Sequence, residues 1–234
     1  MSRKFAVIIG GSGGVGLALT KLCLMREIDV LATYYRNNES LTDLQPSASL
    51  RIVQFDFGKD QEALLSAVRE YGVPPFLVVN CASTSIALKR FVDFSATELA
   101  SDLHNNLYGP VSLLQSFLKI FIPSKQGVFI QLLSKTITTN PARMSLYTAA
   151  KAGLDSVIRS AGKELAGTGV RLIGISPGYI DTKLIKGFPP KMLEIERESR
   201  VTKSLLQPEE AAHMIIGIVD AIESYQSGEV LSID

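Results

Sequence analysis

The sequence predicts an α/β fold, a doubly wound sheet of seven parallel strands. Three observations carry this expectation. Short β-rich runs alternate with helical ones along the chain. The strands are nearly uninterrupted apolar runs, as in a parallel sheet covered by helices on both faces. A glycine-rich turn joins the first strand to the first helix, where sheets of this kind bind ligands.

Phe5–Ile9 is a compact apolar strand, and Gly14–Met25, with Leu17, Leu19, Leu22 and Leu24, reads as a helix. Asp29–Tyr34 is the second strand and Leu50–Phe55 the third, followed by a helix over Gln61–Tyr71. Phe76–Val79 is the fourth strand, and a long helical stretch runs from Ala96 to Ile120. Gly127–Leu133 is the fifth strand, Ser145–Leu165 a helix and Val170–Ile175 the sixth strand. Pro208–Ser224 reads as helical, and Glu229–Ile233 closes the sheet as the seventh strand. Right-handed crossovers wind such units into one sheet, with ligands at the carboxyl ends of the strands. Residues 1–234 are expected to form a single domain. The least regular stretch, Lys183–Leu206, leaves the carboxyl end of the sixth strand and is the natural substrate loop or lid.

Composition narrows the function. Hydrophobic residues make up 46% of the chain, enough for a substantial core and too much for disorder. A net charge of +1 argues against a nucleic-acid partner. Cys23 and Cys81 form no disulfide framework, and with only His104 and His213 no metal site is expected. Arg3 and Lys4 precede an uncharged run, Phe5–Thr20, that superficially resembles a secretory leader. Five glycines within it would break an apolar helix, so it reads as strand, turn and helix of a cytoplasmic protein. No stretch is apolar and long enough to suggest a membrane span.

The turn itself is Gly10-Gly11-Ser12-Gly13-Gly14-Val15-Gly16. Glycines permit close backbone approach, and the following helix N-terminus favours a pyrophosphate. Three spacings fit: G-x-x-x-G-x-G at Gly10, Gly14 and Gly16, G-x-x-G-x-x-G at Gly10, Gly13 and Gly16, and G-x-G-x-x-G at Gly11, Gly13 and Gly16. Dinucleotide binding is the expectation, with Ser12 and Val15 also in the loop. The second strand ends in Thr33-Tyr34-Tyr35-Arg36-Asn37, without the carboxylate that would bind a free ribose 2′-hydroxyl. Arg36 is placed to clamp a 2′-phosphate, which favours NADP(H) over NAD(H). Gly13 stands where a second basic residue would have strengthened that preference.

Tyr147 and Lys151 lie one helical turn apart, so they share a face. Tyrosine is a poor acid near neutral pH, and a nearby ammonium favours its phenolate. Ser134, thirteen residues upstream, supplies a hydroxyl to hold a carbonyl oxygen while the tyrosine moves the proton.

Together these residues resemble the short-chain dehydrogenase/reductase family over nearly the whole chain. The loop fits its G-x-x-x-G-x-G form. Asp56-Phe57 matches its adenine-contacting pair, and Asn80-Cys81-Ala82-Ser83 its N-x-A-G segment. Asn106-Leu107-Tyr108-Gly109 looks like its N-L-x-G segment, and Pro177-Gly178-Tyr179-Ile180-Asp181-Thr182 its P-G-x-I-x-T turn. Ser134, Tyr147 and Lys151 fall at its active-site spacing. The resemblance implies a Rossmann fold and a hydride transfer between a nicotinamide cofactor and a carbonyl or alcohol. Tyr147 would be the general acid in reduction and the base in oxidation. Lys151 would lower its pKa and bind the nicotinamide ribose, and Ser134 would orient the substrate oxygen. Asn106 would hold a water in a relay to Lys151, and Ile180 and Thr182 would contact the carboxamide.

The chain departs from the family pattern at Ile9, usually threonine, and at Ser83, usually glycine. Both could alter the loop beside the cofactor. The sequence ends at Ser232-Ile233-Asp234, short of a double glycine common in the family. A homodimer or homotetramer is expected, built on the long helix and the Tyr147 helix. The lid contains Phe188, Pro189, Pro190, Met192 and Leu193, which favours a carbonyl with a hydrophobic body. Its six basic and three acidic residues suit an anionic acyl carrier protein, and equally a solvated amphipathic helix. A 3-oxoacyl reductase and a general carbonyl reductase both fit. The alternative is a cofactor sensor without turnover, disfavoured by the complete Asn106, Ser134, Tyr147 and Lys151 set. An epimerase or dehydratase is disfavoured for want of a C-terminal substrate region.

Overall fold

A computed structural model describes residues 4–44, 48–84 and 86–233. Arg3 and Asp234, used in reading the two ends, lie outside the described residues. Strands β1 (Phe5–Ile9), β2 (Asp29–Tyr34), β3 (Leu50–Gln54), β4 (Leu77–Asn80), β5 (Gly127–Leu132), β6 (Val170–Pro177) and β7 (Val230–Ile233) form one sheet. Their order is β3-β2-β1-β4-β5-β6-β7, every pairing parallel. The order reverses between β1 and β4, so a crevice opens there at the carboxyl ends, beside the glycine turn.

Alternation along the strands builds two cores. Ala6 and Ile8 of β1 face α1 (Gly14–Met25) and α9 (Pro208–Asp220), with Leu19 and Ile215 buried against them. Phe5, Val7 and Ile9 point the other way, into a layer containing Leu64 of α3 (Gln61–Arg69), Phe117 of α5 (Gly109–Ser124) and Leu154 of α7 (Ser145–Glu164). The central strands β1 and β4 bury every residue, which is why their sequences are apolar up to Asn80 instead of alternating with polar residues.

The structure departs from the sequence expectations where tertiary packing decides. The long helix is not continuous: α4 (Ala96–Leu103) passes through a π-helical turn, His104–Tyr108, before α5. A π turn inserts a residue and rotates the helix beyond it, and it leaves Asn106 2% exposed. α5 continues beyond Ile120 to Ser124, with Pro123 in its last turn. Short helices α2 (Glu39–Thr42) and α6 (Thr136–Thr139) were not expected. The expected irregular lid carries a 3-10 turn, Lys183–Ile185, and a ten-residue helix, α8 (Pro190–Ser199), whose first turn opens on a proline. The helices expected to end at Tyr71 and Ser224 stop at Arg69 and Asp220. No helix among the described residues is long and apolar enough to cross a membrane.

Candidate active site

The glycine turn forms one wall of the site. Gly10 has φ +77°, left-handed backbone that a side chain disfavours, and a Cβ there would meet Ala82 at 3.0 Å. A Cβ on Gly16 would stand 2.2 Å from the Gly10 carbonyl oxygen. Gly14 also has a positive φ, whereas a Cβ on Gly13 would meet nothing within 4 Å. Of the three spacings, G-x-x-x-G-x-G is the one whose glycines the backbone requires. The Gly10 N–H donates to Thr33 Oγ1 at 3.0 Å, tying the turn to β2.

From this turn a cavity of about 790 Å³ runs along the carboxyl edge of the sheet to Tyr147. Ser12, Gly13, Gly14 and Val15 line its outer end, and Ala82, Ser134, Tyr147 and Lys151 its inner end. Pro177, Gly178, Ile180 and Thr182 form the opposite lip. That lip is held by the Asp181 N–H, which donates to the Leu206 carbonyl at 2.9 Å. The fit to a dinucleotide rests on this continuity: bare backbone at the helix start, then an elongated cleft ending at ionisable side chains.

Other expected residues lie outside the lining. Gly16 works from behind the turn. Buried Asn80 donates to Gln131 at 2.9 Å and accepts the Ala82 N–H at 3.2 Å, which shapes the turn after β4. Asp56 accepts the Gly58 N–H at 3.1 Å, and Phe57 packs against Gly109. Arg36 is exposed, its guanidinium 5.0 Å from the Tyr35 ring centroid. Tyr35 itself lines the cavity, as does Ser40, whose hydroxyl donates to the Ser12 carbonyl at 2.7 Å. Sequence reading missed both, because their role depends on how the β2 end folds over the turn.

At the inner end, Tyr147 is buried, and it lines the cavity together with Ser134 and Ser83. The Lys151 ammonium lies over the Tyr147 ring, 5.6 Å from its centroid, and donates to the Leu132 carbonyl at 2.9 Å. The expected depression of Tyr147 by Lys151 is not what the site produces. Burial dominates and pushes Tyr147 up to about 12, against the weaker pull of the Ser134 and Ser83 hydroxyls. Burial likewise pushes Lys151 down to about 8. Both groups are held toward neutrality, since a charge is costly in a dry cleft.

Asn106 is fixed by four side-chain hydrogen bonds. Its Nδ2 donates to Thr84 Oγ1 at 2.7 Å and to Asp102 Oδ1 at 3.1 Å. Its Oδ1 accepts the Thr84 N–H at 3.1 Å and the Ser83 hydroxyl at 3.5 Å. Among the described residues no side-chain hydrogen bond joins Asn106 to Lys151.

The lid closes over Tyr147. Met144, Tyr147, Ile185, Phe188 and Leu205 form an apolar cluster, with Tyr179 and Met192 packed against it. The Tyr179 and Phe188 rings meet edge to face at 5.4 Å. Glu196 of α8 accepts the Tyr179 N–H at 3.3 Å, fastening the lid helix to the lip. The cleft thus brings the side chains of Ser134 and Tyr147 beside an apolar cluster.

A protein-family model described as enoyl-(acyl carrier protein) reductase matches residues 10–234. The uncharacterized oxidoreductase YmfI of Bacillus subtilis (strain 168) is 27% identical, over 99% of this chain and 98% of that one. The 3-oxoacyl-[acyl-carrier-protein] reductase FabG of Thermotoga maritima is also 27% identical, over 100% and 97%. A solved 4-hydroxyisoleucine dehydrogenase complexed with NADH shares the fold, with a TM-score of 0.89, 21% identity and coverage of 99% and 97%.

Proposed function

This chain belongs to the short-chain dehydrogenase/reductase family, and on that premise we propose that it reduces a hydrophobic carbonyl with NADPH, Tyr147 giving the proton. The observation that carries the proposal is the Tyr147 hydroxyl itself. It sits in the cleft beside Ser134, under an apolar lid. The nicotinamide supplies a hydride when reduced and carries a positive charge when oxidised.

The chain's own residues do the rest. Ser12 to Val15 offer backbone N–H groups to a pyrophosphate at the start of α1. Arg36, with no carboxylate nearby at the end of β2, favours a 2′-phosphate. Asp56 and Phe57 would border the adenine, with Asn80 and Ala82 shaping the wall beside it. Ile180 and Thr182 would hold the carboxamide from the lip. Lys151, anchored to Leu132, faces the ribose side of Tyr147. Ser134 donates to the carbonyl oxygen, which polarises it and places it against the Tyr147 hydroxyl. Tyr147 is a neutral phenol at pH 7, the form that holds the proton to be given, and burial in the cofactor-free cleft makes it a weaker acid than in water.

Phe188 and Met192 of the lid and Tyr179 of the lip surround the reacting position, so the substrate body is aliphatic or aromatic. A carrier-linked 3-oxoacyl chain satisfies this, as does a free ketone or aldehyde. Residues 1–234 act as one domain in this reading. A homodimer or homotetramer would form through α4, α5 and α7, where Leu103 and Tyr108 are 37% and 63% exposed. The cytoplasm is the proposed compartment, in line with the free thiols of Cys23 and Cys81. The test is NADPH oxidation across a carbonyl panel that includes 3-oxoacyl thioesters, aryl ketones and small polar aldehydes. Turnover is expected for the hydrophobic members. Tight NADPH binding without turnover on any of them would contradict the proposal.

A further inference from the structure

The lip that follows β6 carries a second phenol into the cleft. Tyr179 lines the cavity and packs against the cluster that holds Met144 and Tyr147. Its hydroxyl donates to Met144 Sδ at 3.8 Å, its one hydrogen bond among the described residues. A thioether is a weak acceptor. Met144 stands three residues before Tyr147 at the start of α7, so the two side chains are neighbours on one face. The Tyr179 ring is held edge to face on Phe188, and its backbone N–H is tied to Glu196. Burial, and after it the Glu196 carboxylate, raise its pKa above the usual phenol value, so it is a neutral donor at pH 7.

We propose that Tyr179 is a specificity-determining residue, its hydroxyl donating to a second acceptor oxygen on the substrate, close to the carbonyl that is reduced. The inference rests on the reading of this cleft as a carbonyl site with Tyr147 as acid. The chemistry that fits is a 2-oxo or 3-oxo ester or thioester, whose ester carbonyl supplies the second oxygen. A hydroxyl set among apolar side chains is costly unless it finds a good acceptor. Phenylalanine would fill the same space without that cost. A carbonyl oxygen entering the cleft is a better acceptor than the Met144 sulfur. The hydroxyl gives up only a long, weak contact to reach it. Ser134 is not free for this task. Its oxygen accepts the Thr136 N–H at 3.2 Å, and its single hydrogen goes to the reacting carbonyl. The second oxygen therefore needs a donor of its own, and Tyr179 supplies one from within the cluster that surrounds the substrate body.

Tyr179→Phe removes the hydroxyl and keeps the ring on Phe188. The substrates are ethyl 3-oxohexanoate and ethyl 2-oxohexanoate, each beside a straight-chain nonanone of the same length, at saturating NADPH. The measured quantity is kcat/KM for the ester divided by kcat/KM for its nonanone. In Tyr179→Phe this ratio is expected to fall about tenfold for the ester that the parent prefers, and that preference says which carbon bears the second oxygen. A ratio unchanged for both esters would overturn the role of Tyr179, including the case where ester and ketone lose activity together. A readout without turnover is calorimetric binding of the same pairs to NADPH-loaded Tyr147→Phe. Adding Tyr179→Phe should weaken the ester about tenfold relative to the nonanone, and equal losses would again overturn the proposal. A parent protein silent on every carbonyl would instead overturn the reading of Tyr147 as acid, and the binding ratio would still decide the role of Tyr179.

Discussion

Burial shifts Lys151 and Tyr147 each toward its neutral form. Lys151 is the clearer case for stability. Its value falls from 10.5 to about 8, so between those values the unfolded chain binds a proton that the folded chain does not. Stability therefore rises with pH across that window, and below it the buried ammonium is a full cost. Lys151→Met should stabilise the cofactor-free protein by about 1–3 kcal/mol at pH 7, while abolishing turnover. The Leu132 carbonyl still accepts Gln131 Nε2 at 2.9 Å, so the substitution orphans no acceptor. Urea denaturation at pH 7 and pH 10 checks the sign: the gain must shrink at the higher pH, and a gain equal at both would refute it. Arg36 carries a separate prediction. Arg36→Ala should weaken NADPH binding by about tenfold or more and leave NADH nearly unchanged, measured by calorimetry. Equal losses would remove the basis for the cofactor preference. At this scale the sequence was legible where chemistry is local. Tyr147 and Lys151 share a helix face because they are four residues apart. Thr84 was not legible as a partner of Asn106, since those bonds join the turn after β4 to the π turn, distant in sequence.

The strand-to-helix turn is the element on which cofactor binding depends, and its glycines are not equivalent. Gly16→Ala forces a methyl against the Gly10 carbonyl oxygen and should cost about 2–4 kcal/mol together with NADPH affinity. Gly13→Ala adds a methyl to open space at φ −145°, and should stay within about 1 kcal/mol of the parent. Thermal unfolding with an NADPH titration separates them, and similar behaviour of the two variants would contradict the assigned spacing. Element boundaries were legible where an apolar period met a glycine or proline. The π turn at His104–Tyr108 was not, because one inserted residue barely disturbs a helical pattern while it rotates Asn106 inward. Helix α8 was hidden differently. None of its residues is buried. It presents a charged sequence to solvent, and its place is fixed by Glu196 and by Met192 against the lid cluster.

Across the whole molecule, the seven-stranded order and its switch between β1 and β4 gather residues from distant parts of the chain onto one edge. The glycine turn follows β1, Ser83 follows β4, Ser134 follows β5 and the Pro177-Gly178 lip ends β6. Tyr147 and Lys151 come from α7, which packs across that edge. This assembly was legible from alternation alone, because parallel strands with right-handed crossovers leave few topologies open. The substrate was not, since it depends on how the lid packs. The direct test of the central claim is single-turnover reduction by Tyr147→Phe beside the parent, with NADPH affinity measured on both. The phenyl ring keeps the packing and removes the hydroxyl that carries the proton. The rate should fall by about 10²–10⁴-fold with NADPH affinity within twofold. A Tyr147→Phe protein that reduces the same carbonyl at the parent rate would contradict the account.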